Sequence, residues 1–300
     1  PLAYFFALAG MIGCLPAFQS NQLIQITGDL AFSEIENFNI LGGLVLAGIT
    51  GLVVIGGLKR IAEVATFLVP LMGSIYFGAM IVALILNLNL VLPAFKLIFV
   101  DAFNGTAIAG GTFFGVLIYG VRRGAFSNEA GMGTESLVHG VAKVSNPVKQ
   151  GLVAMTGPIF DTLIICTATA LMILVSGVWE TSSSQGVTLT AEAFSILLGN
   201  FGGLILFVCV ICFGLSTIFT YSYYGASCSR FLFGKFGMKF YIYLYILSIF
   251  IYSIVPIDIA INIADGAFAM MAIPTLISAL WLAPKVMQAS KNYFKLIDNN

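Results

Sequence analysis

Long apolar stretches constrain this chain more than any other feature. Runs of about twenty mainly apolar residues recur from one end to the other, and a run of that length crosses the hydrocarbon of a bilayer as a helix. Between them there is little charge: Asp, Glu, Lys and Arg make up 9% of 300 residues, against about a quarter in soluble domains. A surface facing water cannot be covered at that composition. Hydrophobic residues account for 59% and mean hydropathy is +1.03. The fold class is therefore all-α, a polytopic membrane helix bundle with the lipid bilayer as its solvent.

Eight spans are predicted, at residues 3–27, 39–57, 64–92, 106–121, 151–178, 193–221, 237–255 and 259–283. The third is long enough to require a tilt or a bend, with Pro70 and Pro93 near its ends. The fourth is short and glycine-rich. On an eight-span zigzag, 12 of the 13 Lys and Arg fall on one side, and Lys96 is the exception. The opposite connections carry Asp29, Glu34, Glu36, Glu180 and Glu192. Basic connections stay in the cytoplasm, so the C-terminus is expected inside. Net charge is zero and no basic block is wide enough for nucleic acid. The five cysteines read as small core residues, and the single His139 stands away from any ligand cluster. The chain starts at Pro1 without a methionine and is expected to lack the N-terminal part of a longer protein.

Six places could carry chemistry. The stretch from Asn104 to Gly115 holds Gly105, Gly110, Gly111 and Gly115. Glycine-interrupted helices in a membrane point to a transporter's binding site, because opened backbone must be satisfied there. The competing reading is close helix packing by small residues. Ser216, Thr217, Thr220 and Tyr221 place hydroxyls at helical spacing, hard ligands of the kind Na⁺ prefers; the alternative is bonding to their own helix carbonyls. Gln19 is the amide expected to face a polar cavity, whereas Gln22 and Gln25 read as the helix emerging among headgroups. Asp161, ten residues into its span, costs about 2.5–3.5 kcal/mol on insertion scales and should face the interior. It reads as an ion ligand, a proton relay, a partner for a helix terminus or a hydrogen-bond hub beside Thr162. Asp265 near Asn262 raises the same question. Glu129, beside Asn128, is either a gate with Arg122 or Arg123 or a solvated loop charge. Residues 126–150 are expected to hold a half-helix near Thr134–Val144 and a break at Asn146–Pro147. No nucleophile elbow, zinc motif, phosphate loop or His–carboxylate pairing occurs, so no enzyme is expected.

The run Gly120-Val121-Arg122-Arg123-Gly124-Ala125-Phe126-Ser127-Asn128-Glu129-Ala130-Gly131-Met132-Gly133 closely resembles the G-V-x-R-G-x-F-S-N-E-A-G-x-G motif of the alanine or glycine:cation symporters. Asn146–Met155, Asp161–Leu171, Gly56–Ile61, Ser216–Ile218 and Ser222–Gly225 also look like that family, and the likeness runs from about Ala7 to Trp281. It implies a leucine-transporter-like fold of two inverted repeats, with the eight spans as helices 3–10 of one transporter domain. Residues 1–104 would be the rest of the first repeat and 105–300 the second. By the same resemblance Gln19 and Thr217 contact substrate, and Phe113, Phe114 and Gly115 lie near an unwound helix. Ser216 and Thr217 lie near sodium. Tyr221 stands where the family commonly has Trp, which bears on the size or polarity of the accepted side chain. Arg122, Arg123, Asn128, Glu129 and Asp161 form a polar gate or framework. The implied function is symport of a small neutral amino acid, alanine or glycine, with Na⁺ as coupling ion and no cofactor, by alternating access in the cell membrane. A proton-coupled or exchange carrier is the alternative, and a channel or non-transporting component the other class.

Overall fold

The computed structural model describes residues 1–103 and 112–298, and among them every regular element is a helix. The first apolar stretch forms α1 (Leu2–Gly13) and α2 (Ala17–Ala31). Pro16 between them has no N–H to donate, so the helical ladder breaks there. Then follow α3 (Phe38–Val54), α4 (Gly57–Leu86) and α5 (Leu88–Ala102). The expected third span ends sooner than predicted, at Asn87, whose side chain caps Ala83 O at 2.9 Å.

α6 (Thr112–Asn128) runs unbroken through Gly115 and past Arg122 and Arg123. Thus both arginines belong to a helix rather than to a connection. The glycines Gly105, Gly110 and Gly111 of the predicted interruption lie outside the described residues. The break that is described lies further on. Glu129 (φ 56°), Gly131 (φ 82°) and Gly133 (φ 88°) all adopt the left-handed region before the short helix α7 (Thr134–His139). That region is costly for residues with a side chain, so a helix cannot continue through it. A Cβ on Gly133 would stand 2.5 Å from Thr275 Oγ1 and 2.7 Å from a ring carbon of Phe6.

α8 (Pro147–Ser176) starts where the Asn-Pro pair predicts. Asn146 is extended, and its side chain accepts from Val148 N at 2.9 Å. Replacing Asn146 by alanine is expected to cost about 1 kcal/mol through loss of this cap, read as a lower melting temperature; an unchanged melt would refute the cap. Inside α8, Ile159–Cys166 is wound as a π-helix. After α9 (Val178–Thr181) comes α10 (Val187–Leu198). The sixth predicted span therefore starts late: residues 193–198 belong to α10, and Gly199 (φ 70°) separates them from α11 (Asn200–Ile254).

α11 is the organising element. At Gly234 (φ 68°, ψ −158°) its backbone enters a conformation reserved for glycine and turns on itself. Tyr245 Oη reaches back to Ile218 O at 2.5 Å, and Tyr241 packs on Gly225, so the two halves run antiparallel. This is the pair of spans expected at 193–221 and 237–255. α12 (Ile257–Asp298) closes the chain. The core gathers around α11, where Phe219, Tyr241, Tyr245 and Ile249 are fully or almost fully buried. The large apolar residues left outside, such as Leu280 at 77% and Trp281 at 81% exposure, fit a surface solvated by lipid. Among the described residues five helices or helix pairs are long and apolar enough to cross a membrane, and the chain is a polytopic membrane bundle.

Candidate functional site

A cavity of about 440 Å³ lies among α2, α6, α10 and α11, within the usual range for small-molecule sites. Each wall follows from helical spacing. Val210, Gly214, Thr217 and Tyr221 repeat at intervals of three and four and so share one face of α11. Gln19, Gln22 and Leu23 do the same on α2. The end of α6 supplies Phe126 and Ser127, and the break after it supplies Glu129. Gly186, Val187 and Thr190 close one side.

Of the residues singled out from sequence, Gln19, Thr217, Tyr221 and Glu129 meet in this cavity. Phe114 and Gly115 do not line it: Phe114 is 68% exposed and a Cβ on Gly115 would meet open space. The side chain of Phe113 lies outside the described residues. Ser216 is buried behind the wall, with Oγ donating to Phe213 O at 2.9 Å on its own helix. One amide was misjudged. Gln22 is 5% exposed rather than emerging; its Nε2 donates to Gln25 Oε1 at 2.7 Å, and its Oε1 accepts from Val187 N at 3.2 Å. It thereby ties α2 to the segment that covers the cavity.

The expected gate between Glu129 and Arg122 or Arg123 does not form. Both arginines turn to Asp265 on α12, Arg123 in direct contact and Arg122 at 3.8 Å. Asp265 lies about 12 Å along α12 from its start, the end that the charge pattern assigns to the outside. These two arginines therefore pair between helices instead of lying in a connection. The Arg123 guanidinium also sits 5.3 Å from the Phe126 ring centre. Phe126 meets Phe18 edge-on at 5.4 Å and Phe268 at 5.2 Å. It separates the cavity from a second hollow of about 590 Å³ that holds Arg122, Asn262 and Asp265.

Glu129 takes hydroxyl donors instead of arginines: Tyr221 Oη at 2.5 Å to one oxygen and Thr134 Oγ1 to the other. Asn128 bonds Thr162 Oγ1 at 2.8 Å and accepts from Ala130 N at 2.9 Å. Ser127 Oγ donates to Asp161 Oδ2 at 2.7 Å, with Thr162 Oγ1 on the same oxygen at 3.2 Å. Asp161 is thus a hydrogen-bond acceptor behind the cavity wall. Sequence reasoning missed Phe126 and Ser127 as wall residues, although both lie inside the motif Gly124–Gly133. The closely spaced Gly131 and Gly133 that follow them were the available signal.

A model of the sodium:alanine symporter family matches residues 1–300. The chain is 35% identical to the sodium/alanine symporter AgcS of Methanococcus maripaludis over 96% of its own length and 64% of that protein's. It is 35% identical to the uncharacterized transporter YflA of Bacillus subtilis (strain 168), over 98% of this chain and 63% of that protein. A probable sodium/glutamine symporter, GlnT, of the same Bacillus is 33% identical over 91% of this chain and 58% of that protein. The chain thus spans less than two thirds of the length of each.

Proposed function

Because the chain belongs to the sodium:alanine symporter family, we propose that it works as a secondary active symporter. In this reading it moves a small neutral amino acid, alanine or glycine, together with Na⁺ by alternating access, across the cell membrane and with its C-terminus in the cytoplasm. The observation that carries the reading is the convergence of Gln19, Thr217 and Tyr221 with the broken end of α6 on one cavity. The Gln19 amide and the Thr217 hydroxyl offer donors for a substrate carboxylate. Glu129 offers negative charge to an ammonium or to Na⁺. Ser216 and Thr217, adjacent on α11, are assigned to the coupling ion, and no other cofactor is required. The helices are assigned to two inverted repeats of a leucine-transporter-like fold, dividing near residue 104.

The test is uptake of labelled alanine by the whole protein in proteoliposomes, with Na⁺ replaced by choline as control. Gln19→Leu and Thr217→Val each remove a hydrogen bond to a charged group, which contributes about 1.5–3 kcal/mol. Each is expected to raise the apparent KM about ten- to a hundredfold. Uptake indifferent to Na⁺, or a KM unchanged in both variants, would overturn the assignment.

A further inference from the structure

α12 is longer than a bilayer can hold. Its 42 residues extend about 63 Å at about 1.5 Å per residue, roughly twice the hydrocarbon thickness. Tilt does not absorb the excess, since a tilt of about 40° still leaves about 48 Å along the membrane normal. The start of α12 is fixed at a polar surface: Asn21 Nδ2 donates to Val255 O at 2.7 Å, beside Gln25, Asp29 and Asn39. The surplus therefore lies at the other end, beyond Pro284. There the composition changes. From Pro284 to Ile297 there are three lysines and no carboxylate. At about 3.6 residues per turn, Val286, Met287, Tyr293, Phe294 and Ile297 fall within an arc of about 120°, and Lys285, Lys291 and Lys295 within an opposed arc of about the same width. Val286 is 63% exposed, Met287 59%, Phe294 45% and Ile297 51%, so the described chain leaves this face largely uncovered. The three lysines are exposed and, among the described residues, none of them forms an ion pair.

We propose that residues 284–297 form a basic amphipathic helix that rests on the bilayer surface and binds anionic phospholipid headgroups. Two features of the chain select lipid as the occupant. The segment continues a spanning helix without a linker, so it emerges at headgroup depth, and Trp281 and Tyr293, on either side of Pro284, are side chains that settle at that depth. Its charge is of one sign and segregated from its apolar arc, the pattern of helices that lie in the interface. Pro284 lacks the N–H that would bond to Leu280 O, which makes it the point where the helix turns from the spanning direction. With the apolar arc against the acyl chains, Lys285 and Lys291 lie at its two edges, level with the phosphates, and Lys295 faces the outer headgroup layer. In the orientation proposed above the leaflet is the cytoplasmic one, where anionic lipids set a negative surface potential. Each lysine close to such a surface strengthens binding about fivefold, and three together on the order of a hundredfold.

The experiment places p-benzoylphenylalanine at Phe294 of the whole protein, reconstituted in vesicles of phosphatidylcholine alone or of equal parts phosphatidylcholine and phosphatidylglycerol. Illumination joins the benzophenone to whatever covers the apolar arc, and mass spectrometry identifies the adduct. A phospholipid adduct is expected in the mixed vesicles, in severalfold higher yield than in phosphatidylcholine alone. The same residue at Trp281, on the spanning part, is the control, with equal lipid yields in both vesicles. Lys285→Gln, Lys291→Gln and Lys295→Gln combined should bring the mixed-vesicle yield at Phe294 down to the phosphatidylcholine level, and so should high salt, which screens the attraction. An adduct mainly with another segment of the protein or with a second copy overturns the proposal. So does the absence of an adduct at Phe294 while the control forms one. A lipid yield at Phe294 that is equal in the two compositions overturns the binding of anionic headgroups. The comparison of compositions keeps all three lysines, so it decides the question if the triple variant does not fold. Backbone hydrogen exchange over residues 284–297 of the unaltered protein gives a second reading, with greater protection expected in the mixed vesicles and equal exchange counting against the proposal.

Discussion

Asp265→Asn is expected to lower stability by about 2–3 kcal/mol. Removing one partner of a buried ion pair costs about 3–5 kcal/mol. The pair is not fully enclosed: the Asp265 side chain is 15% exposed, that of Arg123 29% and that of Arg122 58%. The lower end is therefore appropriate, because solvent screens part of the interaction. With the carboxylate gone, two guanidiniums face each other without compensation. Arg123 is poorly placed to adapt, since its Nε is buried without a partner and its plane is held against Tyr119 and Phe126. Arg122→Gln should cost no more than about 1 kcal/mol, as an exposed pair does. Arg123→Gln in the Asp265→Asn background should restore part of the loss. Melting by fluorescence-detected size exclusion measures all of these, and an Asp265→Asn protein that melts with the wild type would sink the argument.

Gly225→Ala is expected to be as damaging, for a steric reason. A Cβ there would lie 2.1 Å from Tyr241 Oη and 2.3 Å from Tyr241 Cζ. The Tyr241 ring is 1% exposed and donates to Met11 O at 2.8 Å. It cannot retreat without breaking that bond and separating the halves of α11 from α1. Overpacking costs about 1–3 kcal/mol and the lost hydrogen bond about 1 more. Tyr241→Leu should partly rescue Gly225→Ala by vacating the space. Gly78→Ala, on α4 with nothing near its Cβ position, should stay within about 0.5 kcal/mol of wild type. Equal melting temperatures for the two glycine variants would refute the packing described.

The membrane bundle was legible in the sequence because lipid imposes a length and a composition that few other environments demand. The long apolar helices were found on those grounds, and the half-helix at Thr134 and the start at Asn146 from the polar run and its Asn-Pro pair. The site was harder. Residues 126–133 are polar, and composition alone cannot separate polarity that faces water from polarity that lines an internal cavity. The interruption was expected among the more conspicuous glycines at 105–115, of which Gly105, Gly110 and Gly111 lie outside the described residues, and α6 runs through Gly115 to Asn128. Gln22 was misjudged for the same reason, since its partner Val187 lies 165 residues away. Arg122 and Arg123 were counted as a basic connection because their partner, Asp265, is just as remote in sequence. Gln19 and Thr217, singled out as an amide and a hydroxyl on apolar helices, both line the cavity.

The π-wound stretch of α8 has a mechanical corollary. A π turn accommodates more residues than an α turn, so Ile159–Cys166 stores spare chain within a spanning rod. Neighbouring residues of that stretch, Asp161 and Thr162, are the ones that hold Ser127 and Asn128 at the end of α6. Were the stretch to tighten to ordinary pitch, both grips would swing away in a single twist. The rod would let go of the cavity rim without any change in its own anchorage at Asn146.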